Sequence, residues 1–159
     1  MNNLCEIQKL NKADIIIIFN DQLLEFINQI EFIINDLYKN KLIDEIIKDD
    51  IIYYKNIANS IIHITKIYFI ESLGKYILKN NSIVEAVKQK NTDYIASYNF
   101  ENDSSLQKYK DKYKNNLEIT DLIIIFKKIL LHLNEENKNN LFEYFQIFFE
   151  ITIIYMSKI

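Results

Sequence analysis

The chain has 159 residues with one glycine, one cysteine and neither proline nor tryptophan. Its length suits one domain, and a hydrophobic fraction of 49% is typical of a folded globular protein. The net charge of −3 lacks the basic excess expected of proteins that bind nucleic acid or anionic membranes. With so little glycine, cysteine and histidine, the composition argues against glycine-loop phosphate sites, clustered zinc sites and enzymatic chemistry in general.

The cysteine usage and the apolar runs indicate a reducing compartment and no membrane span. Cys5 is the single cysteine, so an internal disulfide is excluded. The N-terminal ten residues are too polar for the core of a signal peptide. The longest apolar runs, Ile15–Phe19 and Leu122–Phe126, are far shorter than the roughly 20 residues that a spanning helix needs. We therefore expect a soluble intracellular protein.

Apolar residues at three-four spacing predict an amphipathic helix from Ile15 to about Leu37, with Asp14 as its N-cap. Four consecutive isoleucines at its start would also suit a β-strand. The chain offers no partner strands bounded by turn residues, so the helical interpretation is preferred.

The middle of the chain predicts shorter helices. Asp49 and Asp50 suggest a new helix start, since acidic residues favour the first turn. Gly74 lies inside the next helical pattern, which indicates either close approach of another helix or a helix end. Further expectations are a break at 79–81, a short helix capped by Ser82, loop residues over 91–105 with a short helical turn, and an exposed helix over Lys108–Lys114.

Two strong helices follow. Thr120 or Asp121 is expected to cap a helix from Leu122 to Leu133, and Asn134 to cap one from Glu135 to Met156. The last helix is apolar nearly all round, which predicts a central position in the core. The alternative is that one of its sides is an interface with a second chain.

Few residues could carry chemistry. His63 and His132 are the only histidines, and neither has a histidine or cysteine at metal-binding spacing. Adjacent carboxylates such as Asp44–Glu45 point to different helix faces, which suits solvation better than catalysis. The alternating lysines and tyrosines of Lys108–Lys114 resemble single-strand nucleic-acid binders, but a solvated helix explains them better. We predict no catalytic residue, metal or cofactor.

Three segments carry a resemblance to a known family. Leu133–Lys138 followed by Phe142–Gln146 resembles the "L-S-E-E-N-K" turn and "W-K-Y-F-x-x-L" helix of small proteins of giant nucleocytoplasmic DNA viruses, of the mimivirus and phycodnavirus kind. Phe19–Phe26 is similar to their "F-N-x-x-L-x-x-F" helix, and Lys88–Ile95 to their "N-K-D-E-D-F-F-L" turn. Asn134 stands where the family has serine, and Phe142 where it has tryptophan. The resemblance implies a viral source and a helical fold but no reaction.

The sequence predicts an all-α, compact single-domain bundle of about six or seven helices with a central, aromatic-rich C-terminal helix. Residues 1–13 are expected to be flexible and residues 14–159 to form the domain. The predicted function is a non-enzymatic viral protein–protein interaction module. The alternative is a viral inhibitor of host apoptosis or innate immune signalling that binds a host helix in an apolar groove.

The residues predicted to bind a protein partner are aromatic positions of the last helix, since aromatic side chains dominate interfaces. They are Phe142, Phe145, Phe149 and Tyr155. The expected partner is a viral or host protein, with no nucleic acid and no membrane span, and a homo-oligomer is left open. The expected location is the host cytoplasm or viral factory, with packaging in the virion also open.

Overall fold

A computed structural model describes residues 4–97 and 119–158 and confirms the all-α prediction. These ranges contain eight α-helices: α1 (Leu4–Ile7), α2 (Lys12–Lys39), α3 (Glu45–Ile64), α4 (Tyr68–Lys79), α5 (Asn81–Lys88), α6 (Thr92–Ser97), α7 (Ile119–Ile129) and α8 (Glu135–Ser157). A 3-10 turn, Leu130–His132, joins α7 to α8. The helix predicted over Lys108–Lys114 lies outside the described residues.

The first long helix begins earlier than its apolar pattern. Asn11, not Asp14, is the N-cap of α2, and its side-chain oxygen accepts a hydrogen bond from the backbone N–H of Asp14 at 2.9 Å. The predicted boundary between residues 13 and 14 therefore falls inside α2. Before it, α1 contacts α8 and buries Ile7. Flexibility of residues 1–13 stays a prediction.

Two predicted helix starts in the middle of the chain are wrong. Asp44 takes the extended N-cap conformation of α3, so Asp49 and Asp50 lie inside the helix. Asp50 is compensated there by Lys128 of α7, whose Nζ lies 3.7 Å from its carboxylate. Ser82 likewise lies within α5, which begins at Asn81. Acidic and hydroxyl residues are compatible with the first turns of a helix as well as with its cap, so the pattern placed these starts late.

Helix α8 is central, as its apolar composition predicts. It contacts α1, α2, α4 and α5. Asn134 caps it as expected, accepting a hydrogen bond from the backbone N–H of Asn137 at 2.8 Å. Its rings meet those of α2 and α7: Phe26 lies 5.0 Å from Phe145 between ring centroids, and Phe126 lies 5.4 Å from the same ring. The aromatic side chains of three helices thus form one cluster around α8.

The single glycine is explained by close helix packing, one of the two expected reasons. Gly74 is buried in α4, and a Cβ built on it would lie 2.9 Å from the Met156 sulfur and 3.6 Å from Cγ2 of Thr152. Both neighbours belong to α8. The absence of a side chain at residue 74 therefore lets α4 and α8 approach each other closely.

Two tyrosines of α8 tie it to other helices through carboxylates. The Tyr144 hydroxyl donates to Glu25 of α2, and the Tyr155 hydroxyl donates to Glu71 of α4, both at 2.8 Å. Burial, together with the hydrogen bond and the negative charge of the Glu25 carboxylate, raises the pKa of Tyr144 to about 12. Burial and the same two effects of Glu71 raise the pKa of Tyr155 to about 12. Both phenols are therefore held in the neutral form.

We expect these two tyrosines to make the protein sensitive to alkali. Their folded pKa values lie above the usual 10, so their stabilising contribution is complete below pH 10 and is lost as pH rises through 12. Absorbance at 295 nm should show phenols that ionise near pH 12, among them Tyr144 and Tyr155. Tyr144→Phe and Tyr155→Phe should each remove one of them. If neither variant lost a phenol that ionises near pH 12, the assignment would be contradicted.

Candidate functional site

The aromatic residues predicted to bind a partner are buried in this chain, and their role in binding stays a prediction. Phe142, Phe145 and Phe149 are each 1% exposed and Tyr155 is 7% exposed. Their rings pack against α2, α4 and α7, where burial of large apolar surface stabilises the fold. Of the two interpretations of α8, core packing is the one that the structure shows for these four side chains.

Both histidines are exposed at the surface. His63 is exposed in the last turn of α3, and His132 is exposed after α7. In the parts of the chain that the structure describes, no group of three or more histidine, cysteine, aspartate or glutamate side chains could hold a metal ion. No helix in those parts is both long and apolar enough to cross a bilayer.

A groove of about 530 Å³ runs along α8, and we call it the α5–α8 groove. Its apolar lining comes from Val87 of α5, Ile147 and Phe149 of α8, and Leu4 of α1. Its polar lining comes from Lys88, Glu143, Gln146 and Glu150. A volume of this size lies within the range of about 300–1,000 Å³ that is typical of ligand sites.

Gln146 fixes the two sides of the groove to each other. Its side-chain amide donates to the backbone carbonyls of Val87 at 3.0 Å and Lys88 at 3.3 Å. These carbonyls belong to the last turn of α5, where a helix leaves acceptors without intrahelical partners. The negative end of the α5 dipole is therefore held at the groove, where it favours a positively charged group.

The groove also carries negative side chains. Glu143 pairs with Lys90 at 3.5 Å and remains half exposed. Glu150 is partly buried, and the structure shows no ion pair or hydrogen bond of its carboxylate with any described residue. A cation placed beside Glu150 would form a charge-assisted hydrogen bond with its carboxylate.

A second recess extends the groove along α8 toward α2. It has a volume of about 280 Å³, is lined by Gln29 and Asn140, and shares Glu143 and Ile147 with the α5–α8 groove. The accessible side of α8 thus runs from Asn140 to Glu150, about 15 Å along the helix. That length matches two to three turns of a second helix laid beside it.

The groove was missed by the sequence prediction, although α8 contains a signal for it. Glu143, Gln146 and Glu150 are the polar interruptions in its apolar half, and their spacing of three and four residues places them on one face. Ile147 lies on the same face. The sequence prediction rested on the many apolar residues of α8, which lie mainly on its buried side. The few polar residues indicate the side that faces solvent.

The chain matches no protein-family model, no curated protein and no solved structure.

Proposed function

We propose that the protein is an interaction module that binds an amphipathic helix of a partner protein in the α5–α8 groove. The observation that carries the proposal is an apolar groove bordered by Glu150, a partly buried carboxylate without a partner among the described residues. The apolar side of the bound helix would pack on Val87 and Ile147. A lysine or arginine of that helix would pair with Glu150, because opposite charges that face each other across an interface favour binding.

The viral part of the proposal rests on the three resembling segments described above. On that basis the partner is a viral or host protein, and the setting is the host cytoplasm or viral factory, with packaging in the virion left open. The proposed role is non-enzymatic: the protein acts as a subunit or adaptor by holding a helix.

Inhibition of host apoptosis or innate immune signalling is the second candidate, because a groove that accepts a helix is the feature which that class of inhibitor uses. The two candidates differ in the identity of the helix. A helix taken from a host death or immune regulator would favour the inhibitor, and a helix from a viral protein would favour the adaptor.

Selection from a display library of helical peptides tests the proposal without knowledge of the partner. We expect enriched peptides to carry apolar residues at three-four spacing and one lysine or arginine. Ile147→Lys and Glu150→Lys should each weaken their binding at least about tenfold in fluorescence polarisation, because both place a cation against the peptide. Replacing the basic residue of the peptide by glutamate should restore binding to Glu150→Lys.

Asp36→Lys is the matched control, since it makes the same change of charge at an exposed position near the end of α2. It should leave peptide affinity unchanged. If the peptides bound Ile147→Lys and Glu150→Lys with the same affinity as the original chain, binding in the α5–α8 groove would be contradicted. Enriched peptides with acidic rather than basic residues would contradict the role of Glu150.

A further inference from the structure

An apolar stripe beside the buried face of α3 is separate from the α5–α8 groove. Ile46, Tyr53 and Ile64 are 68%, 53% and 81% exposed, and Ile57 between them is partly exposed. With Asp50 and Ser60 they occupy positions 46, 50, 53, 57, 60 and 64 of the helix. We call these six residues the α3 stripe.

The spacing of the α3 stripe is that of a helix–helix seam. Its residues follow one another at alternating intervals of four and three, the repeat with which two helices pack side by side in coiled coils. The neighbouring face, with Ile51, Tyr54 and Ala58, is already buried in the core of the same chain. Asp50 and Tyr53 of the stripe border a recess between α3 and α7. Helix α3 is therefore apolar on two sides, of which the fold covers one.

We propose that the α3 stripe is the contact between two copies of this chain, whose α3 helices pack antiparallel about a two-fold axis midway between Tyr53 and Ile57. The intervals of the stripe are the same from either end, so each stripe residue meets a stripe residue of the second copy, as a symmetric dimer requires. About this axis Ile46 faces Ile64 of the second copy and Tyr53 faces its Ile57. The two polar positions, Asp50 and Ser60, face each other.

The charges of α3 agree with this pairing. Asp50 is the one ionised side chain of the stripe, and Lys128 of the same chain compensates it at 3.7 Å. In the antiparallel arrangement Asp50 faces a serine, so the stripe brings no like charges together across the axis. A parallel pairing would place the two Asp50 carboxylates against each other, which is destabilising.

The size of the stripe sets the strength of the dimer. From Ile46 to Ile64 it extends about 27 Å along α3. Two such faces bury on the order of 1,000 Å² in total, the lower limit for a specific interface. We therefore expect a reversible dimer with a dissociation constant in the micromolar range.

Charged variants at the two ends of the stripe give the decisive test. Ile46→Glu and Ile64→Lys both suit the helix dipole at their end of α3, so the fold is retained. Each variant alone should dimerise at least about tenfold more weakly in sedimentation velocity, because a charge faces an isoleucine of the second copy. Mixed together, the two variants should regain a heterodimer, in which the introduced glutamate and lysine face each other at one end.

Leu78→Lys is the control, since Leu78 is 74% exposed but lies on α4, away from the stripe. It should leave the dissociation constant of the dimer unchanged. The proposal is overturned if the original chain stays monomeric at about 1 mM, well above the micromolar range expected. It is also overturned if either stripe variant dimerises normally, or if the mixture gives no heterodimer. Failure of the groove experiment leaves this test unaffected, because the two surfaces share no residue.

Discussion

Replacing Phe26 by alanine is expected to lower the free energy of unfolding by about 4 kcal/mol. Phe26 is fully buried on α2. Its ring centroid lies 4.9 Å from that of Tyr144, 5.0 Å from that of Phe145 and 5.4 Å from that of Phe148. The substitution removes a large apolar side chain and three ring contacts together, and it leaves a cavity between α2 and α8.

Urea unfolding followed by circular dichroism measures the loss. Phe32→Ala is the matched control, because Phe32 lies on the same helix and is 75% exposed. Its effect should stay within about 0.5 kcal/mol. Similar losses for the two variants would contradict the central packing of α8 on α2.

Changing Asn20 to aspartate is expected to lower the free energy of unfolding by about 3 kcal/mol at pH 7. Asn20 is 5% exposed, and its side-chain amide donates to the backbone carbonyl of Lys66 at 2.8 Å. Lys66 lies in the joint between α3 and α4, so this bond fixes the joint to α2. An ionised carboxylate cannot donate to that carbonyl and would be buried beside it.

The effect of Asn20→Asp should depend on pH in a defined direction. Burial raises the folded pKa of the introduced carboxyl above its unfolded value of about 3.9. The protonated form can donate to the Lys66 carbonyl, so the variant is most stable relative to the original chain below pH of about 4 and loses stability as pH rises through the folded pKa.

Unfolding curves at pH 4 and pH 7 separate this effect from simple loss of a contact. Asn20→Ala leaves the Lys66 carbonyl without its donor and should cost about 1–3 kcal/mol at both pH values, since it adds no titratable group. Equal losses at the two pH values for Asn20→Asp would contradict the buried hydrogen bond.

The fold could be predicted because local patterns and tertiary packing agree. The three-four spacing in α2 and the Asn134 cap of α8 each follow from residues near one another in the chain. The starts of α3 and α5 were misplaced because acidic and hydroxyl residues are accepted in the first turns of a helix as well as at its cap.

The candidate site could not be predicted in the same way. Phe148 and Ile147 are adjacent in the chain, yet the first is fully buried and the second lines an accessible surface. Which side of a nearly uniform helix is covered depends on the helices that pack against it. The bond between Gln146 and the end of α5 joins residues 59 positions apart, and no spacing rule connects such positions.

The central position of α8 also has a consequence for synthesis of the chain. Helix α8 follows α1, α2, α4 and α5 in the sequence and contacts all four. On the ribosome, these four helices are synthesised before α8. Their apolar faces therefore stay exposed until α8 has been made and packs against them. Release of the chain before residue 135 would leave a trough of apolar surface open to aggregation or chaperone capture, so folding of this domain must be largely completed after its last helix emerges.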